Sequence, residues 1–150
     1  MWPRAWRYLW AGPTTLPGLL LVGLTLVTGG RARVVTGVIE AHGGLARRLL
    51  RSAPIPHGAA AMTLGHVVLG QTPRDLDRTR RHERVHVAQA ERWGPLFYPA
   101  YALSSLTATL AGRHYYFGNR FEIEAYAAEA GGTAGVNPSA PATPPGGPTG

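Results

Sequence analysis

Residues 82 to 86 read His-Glu-Arg-Val-His, and this is the stretch of the chain where reaction chemistry follows from spacing alone. If the surrounding residues 73 to 93 are helical, His82 and His86 fall one turn apart on one face, where both imidazoles reach a single metal ion. Glu83, one residue along, then leans over the open coordination position. A metal in such a site lowers the pKa of a bound water to about 7 while the carboxylate removes the proton. The reaction implied is hydrolysis, most often of a peptide bond. With 6 His and 6 Glu among 150 residues, random placement yields only about 0.01 copies of the pattern. The competing reading is a solvated basic helix, because Arg74, Arg78, Arg80, Arg81 and Arg84 surround the motif.

The helix that must carry these residues has a legible start and stop. Thr72 as N-cap, Pro73 at the first position and Asp75 three residues after the cap form a capping box. Gly94-Pro95 ends the helix after Trp93. The motif therefore sits mid-helix, where its geometry is fixed. Two histidines still leave a zinc ion one protein ligand short of a catalytic set of three. The segment GNRFEIEAYAAEAGG supplies carboxylates on a second helix, begun by Asn119 as N-cap and ended at Gly131-Gly132. Glu122 shares a face with Tyr126 whereas Glu124 points elsewhere, so a single carboxylate of the pair serves as ligand. Glu122 has a second possible role, closing a capping box with Asn119.

These two motifs resemble the gluzincin class of zinc metallopeptidases, in which HExxH on one helix is completed by a Glu on a later one. The similarity extends to the membrane-bound gluzincins that include the CAAX prenyl proteases, and it covers roughly residues 72 to 130. It implies a zincin-like fold, zinc held by His82, His86 and Glu122, and Glu83 as general base. Two positions depart from the pattern. Tyr126 stands where the family has a second-shell Asp, and Arg84 places a guanidinium between the Glu and the second His, where uncharged residues are usual.

Ahead of the motif, residues 32 to 42 combine β-branched residues with a Thr36-Gly37 break and read as a hairpin or bulged strand ended by Gly43-Gly44. Leu45 to Arg51 suits a short basic helix, and the prolines at 54 and 56 make a loop. Residues 61 to 70, AMTLGHVVLG, read as one strand. A strand just before the active-site helix could hold an extended substrate by backbone pairing; as an ordinary core strand it would not. His66 within it reads as a packed or surface histidine. His114, Tyr115 and Tyr116 are donors within reach of an oxyanion only if the fold brings them to the site.

Composition narrows the partners. All fifteen basic residues are Arg, and the formal net charge is +7. The arginines are spread from Arg4 to Arg120 without a nucleic-acid-binding motif, so nucleic acid is not expected and an anionic membrane surface is the better partner. The 23 residues between Arg7 and Arg31 are uncharged and contain the run LPGLLLVGLTLV, which Trp2, Trp6, Tyr8 and Trp10 precede. Aromatics and arginine at the edge of an apolar run fit a membrane interface. Trp93 to Gly112 is uncharged as well, but its serines, threonines and prolines favour a buried or interfacial helix. The absence of cysteine excludes disulfides, thiolate ligands and cysteine nucleophiles.

The sequence thus predicts an α+β protein in three parts: an apolar, membrane-associated N-terminal segment over 1–30, a zincin-like domain over 31–130, and a disordered Gly/Pro-rich tail over 131–150. Within it, short N-terminal strands precede the HExxH helix and a Glu-bearing C-terminal helix. The expected activity is zinc-dependent cleavage of a peptide or protein substrate at a membrane, or in the cytoplasm if the N-terminal segment is not membrane-associated. Two alternatives remain: a non-catalytic membrane-associated or scaffolding protein with a structural metal, and a lipid- or partner-binding module with none.

Overall fold

Thr36 and Gly37 adopt φ of 46° and 79°, the pair of left-handed residues that a tight two-residue hairpin turn requires. They join strands β1 (Arg31–Val35) and β2 (Val38–His42), which pair antiparallel with Val35 opposite Val38. The structure, a computed structural model, describes residues 4–133. Helix α3 (Gly44–Arg51) follows β2, turning Ala46 and Leu50 inward and its arginines out. The chain then returns as β3 (Ala61–Leu64) and β4 (Val67–Gly70). The four strands form one mixed sheet in the order β1-β2-β4-β3, with β4 parallel to β2 and β3 antiparallel at the edge.

The single strand expected over 61–70 is therefore a hairpin. Gly65 breaks it with φ of +61°, in a place packed too closely against Thr15 for a side chain. An apolar run interrupted by one glycine is read more easily as a continuous strand than as two strands and a turn.

Two helices precede the sheet, α1 (Arg4–Trp10) and α2 (Gly12–Val27), and α2 lies on the sheet face that also receives α3. Val22, Ala41, Ala46, Leu50, Val67 and Leu69 form that core. The opposite sheet face, through Val38 and Val68, takes Leu76 and Val87 of α4 (Pro73–Trp93). A turn of 3-10 helix at Gly94–Leu96 leads into α5 (Phe97–Leu110), and α6 (Arg120–Thr133) closes the described chain. A third cluster, Ala90, Phe97 and Phe121, joins α4, α5 and α6. The last helix runs through Gly131-Gly132 to Thr133 instead of stopping at Gly131; the remainder of the tail lies outside the described residues. Among the described residues no helix is long and apolar enough to cross a membrane.

The α4 helix is tied to the sheet by charge as well as by apolar packing. Glu40 on β2 is 2% exposed and accepts two hydrogen bonds from Arg80, at 2.8 and 3.0 Å, and one from Arg33 at 3.1 Å. Asp77 accepts from the same two arginines. Burial alone would raise the Glu40 carboxyl, but hydrogen bonds from Arg80 and Arg33 outweigh it and hold the group below its ordinary value. Replacing Glu40 with Gln leaves Arg80 without its carboxylate and should destabilise the protein by about 3 kcal/mol, read as a lower urea midpoint at pH 7. A carboxyl depressed in the folded state stabilises above its unfolded pKa and loses that contribution as pH falls. The gap between wild type and E40Q should therefore shrink below about pH 4.5; a gap that persists to pH 2 would refute the assignment.

Candidate metal centre

Helix α4 begins as its sequence dictates. The Asp75 backbone N–H donates to Thr72 Oγ1 at 3.2 Å, and the Thr72 hydroxyl donates back to Asp75 Oδ2 at 2.6 Å. With the start fixed, helical periodicity divides the middle of α4 among three neighbours. Leu76 and Val87 meet the sheet, and Arg80 and Arg84 reach β1, β2 and their turn. His82, His86 and Gln89 turn toward α6.

Helix α6 is held against α4 by its cap and one aromatic anchor. Asn119 Oδ1 accepts the Phe121 N–H at 2.9 Å, while its amide donates to the Tyr101 carbonyl and to Ser105 on α5. Phe121, 1% exposed, sits among Trp93, Phe97 and Tyr101. The next residue, Glu122, is thereby aimed at the two histidines. It does not close a capping box, because the Asn119 N–H donates to the Tyr116 carbonyl instead.

His82, His86 and Glu122 form a buried group able to hold a metal ion. The two Nε2 atoms are 3.1 Å apart, Glu122 Oε2 lies 3.1 Å from His82 Nε2, and Glu122 Oε1 lies 3.3 Å from His86 Nε2. Ligand bonds of about 2.0–2.1 Å in a tetrahedral zinc site give edges of about 3.3 Å, close to the separation of the two imidazole nitrogens, and each nitrogen faces a different oxygen of Glu122.

Hydrogen bonding fixes what these atoms offer. The Gln89 amide nitrogen donates to the Phe121 carbonyl and to Glu124, which leaves Gln89 Oε1 to accept from His86 Nδ1 at 2.8 Å. With its proton on Nδ1, neutral His86 presents a bare Nε2 lone pair to the site. Tyr101 donates to Glu122 Oε1 at 2.6 Å and orients the carboxylate. His82 Nδ1 is buried without a hydrogen-bond partner, 3.7 Å from Glu129 Oε2. A small rotation of Glu129 would give it the carboxylate partner that metal-bound imidazoles commonly have.

Electrostatics at the group express a demand for positive charge. Burial opposes ionisation of Glu122, yet the two imidazoles beside it and the Tyr101 hydroxyl hold it well below the usual carboxylate range. Burial would lower His86, but the Glu122 carboxylate beside it raises it. Glu83, 5% exposed, is pushed up by burial, with hydrogen bonding from Thr63 opposing. The Thr63 hydroxyl on β3 donates to Glu83 Oε2 at 2.7 Å.

Beside the group lies a cleft of about 320 Å³ whose walls include His82, Glu83, Ala59 to Ala61, Tyr116, Tyr126 and Glu129. Tyr126 packs edge-on against the His82 ring, 4.6 Å between centroids. Of the three residues upstream of α6, Tyr116 reaches the cleft, whereas Tyr115 donates to the Pro54 carbonyl and His114 accepts backbone N–H bonds. Arg84 is not at the site; it donates to the carbonyls of Val35 and Thr36 on the other side of α4. Glu124 accepts from Gln89 and lies 3.8 Å from Arg92. His66 packs on Tyr8 and bonds Glu91, away from the group.

Sequence reasoning missed Thr63, Gln89 and Tyr101. Gln89 alone carried a signal, standing three residues after His86 on the same helical face.

The arrangement has a consequence for affinity. Q89A should weaken metal binding by about 10- to 100-fold in a chelator competition, since it removes the bond that orients His86. H86A should bind none under the same conditions, and equal affinity in all three proteins would refute the site. No family model, curated protein or solved structure matches the chain, so what the site does rests on its own geometry.

Proposed function

We propose that the protein is a zinc-dependent hydrolase that cleaves peptide bonds, with His82, His86 and Glu122 as ligands and Glu83 as general base. The observation that carries this reading is a three-ligand group flanked by a cleft that also contains Glu83. A structural zinc site is closed by four protein ligands, whereas a catalytic one keeps a position for water or substrate. Among the described residues the group offers three. Zinc suits two imidazoles and a carboxylate at this spacing.

Bound there, the ion would supply Lewis acidity toward a water and a substrate carbonyl. The chain's own residues would do the rest. Glu83 takes the proton of the attacking water and delivers it to the departing amine. Thr63 holds one Glu83 oxygen, so the carboxylate keeps a single orientation. Tyr116, on the cleft wall, hydrogen-bonds Tyr126 and Glu122 and steadies the ligand carboxylate. The edge strand β3 offers unpaired backbone groups to an extended peptide, and it carries Thr63, which joins substrate pairing to the general base.

The test separates metal binding from chemistry. E83Q should retain about one zinc per chain, because Glu83 is not a ligand, and should lose hydrolysis of a fluorogenic peptide library by at least about 10³-fold. A wild type that binds zinc and cleaves no member of the library, or an E83Q protein as active as wild type, would overturn the reading in favour of a structural metal.

A further inference from the structure

Helix α2 is built inside out for a helix in water. The side that packs on the sheet carries small residues, with Thr14, Gly18, Val22 and Thr25 buried. The outward side carries the large ones: Leu16 is 65% exposed, Leu20 66% and Val27 80%, with Leu19, Leu24 and Leu26 beside them. A water-soluble surface helix does the reverse, placing its large apolar residues inward and charge outward. Here the 23 residues from Tyr8 to Gly30 contain no charge at all. Gly18 explains how the helix can still pack tightly, since a Cβ there would lie 2.7 Å from that of Val67.

A similar inversion occurs in the second half of α5. Phe97 at its start is buried, but beyond it Ser104 and Ala108 are buried while Leu103, Leu106 and Leu110 face outward, the last 79% exposed. The two helices belong to one side of the molecule: the Tyr98 hydroxyl on α5 donates to the Thr14 carbonyl on α2, and Trp10 packs against Gly94 just before α5. Each helix thus presents an outward row of leucines, apolar surface of the kind that marks an interaction site.

Charge and aromatics identify what covers it. Both uncharged segments are bounded by arginine at each end, Arg7 and Arg31 for one, Arg92 and Arg113 for the other. No Asp or Glu occurs in residues 1–39 or 92–121, which hold seven arginines. Trp6, Tyr8 and Trp10 are partly exposed at the α1 end. Apolar helices edged by Trp, Tyr and Arg match an anionic bilayer, with hydrocarbon for the leucines and headgroups for the indoles and guanidinium groups; Arg7 and Arg92 also pair with Glu91 and Glu124, at 3.5 and 3.8 Å. At 16 residues, α2 is about 24 Å long, short of the roughly 30 Å hydrocarbon core.

From these observations we propose that the outward faces of α2 and α5, edged by α1, form a lipid-binding surface that seats the protein in one leaflet of an anionic membrane without crossing it. The surface is made of residues remote in sequence from the metal ligands, so the proposal stands whether or not the site is hydrolytic. The full chain is mixed with preformed vesicles of phosphatidylcholine containing 30% phosphatidylglycerol, freed of detergent, and floated on a density gradient. It should rise with the vesicles, bind pure phosphatidylcholine at least 10-fold less well, and show tryptophan quenching by lipids brominated near the headgroup. The variant L16S/L20S/L24S should lose at least 10-fold in vesicle binding while keeping its zinc content. A wild-type chain that stays at the bottom of the gradient, whether monomeric or as a dimer burying this face, would overturn the proposal. So would quenching absent from a floated protein, or a triple variant that floats as well as wild type.

Discussion

Two imidazole nitrogens 3.1 Å apart, each within 3.3 Å of a different oxygen of the Glu122 carboxylate, cannot share a buried volume unless positive charge lies among them. Gln89 commits the Nδ1 proton of His86 outward, so neutral His86 turns a lone pair inward, and Glu122 brings a formal negative charge. In a medium of low dielectric these groups repel. The charge can come from protons on the rings or from a divalent ion, and an ion satisfies all three donors at once. The same ion would bridge α4 to α6, whose other main attachment is the Phe121 cluster. Metal binding and the seating of the last helix are then one equilibrium.

That constraint explains why α4 is fastened so heavily elsewhere. A helix carrying uncompensated acceptors needs support that does not depend on the ion. The Glu40 clasp supplies it on the strand side, where one buried carboxylate engages Arg80 bidentately and Arg33 from the neighbouring strand. Arg84 belongs to this clasp as well, 3.9 Å from Glu40 and bonded to the hairpin turn. Its place in the motif departs from the usual uncharged residue, but a residue one place after Glu83 is rotated by about 100° and faces a different neighbour. The helix thus separates a positively charged structural side from an acceptor-rich chemical side.

Local rules made much of this legible in the sequence. The Thr72 cap, the Asn119 cap, the Thr36-Gly37 turn and the one-turn spacing of His82 and His86 each depend on a few neighbouring residues, and the structure contains all of them. What stayed hidden depends on pairing across the fold. Thr63 meets Glu83 and Tyr101 meets Glu122 over separations of 20 and 21 residues, which no periodicity reports. The α2 helix was visible as an apolar stretch, but which face it buries is set by the close approach at Gly18. Gly65 shows the opposite case, a local signal whose meaning, turn or bulge, is decided by the strand partner.

The dimensions of the site bear on what it can hold. Edge strand β3 has four residues, of which two turn their backbone groups outward. Four backbone hydrogen bonds at about 1 kcal/mol each give about 4 kcal/mol, equivalent to a Kd near 1 mM before any ordering cost. Backbone pairing alone therefore cannot select a substrate, and the cleft of about 320 Å³ has room for only a small part of a peptide. Affinity must come from a few side chains fitted between Tyr116, Tyr126 and the Ile55–Pro56 loop, or from confinement near the substrate. Seating the protein on a membrane would provide the second by raising effective concentration without new contacts. Under the proposed hydrolytic reading, a small cleft and the proposed lipid-binding surface would be complementary in this respect, and together they would favour a few membrane-proximal targets over general digestion.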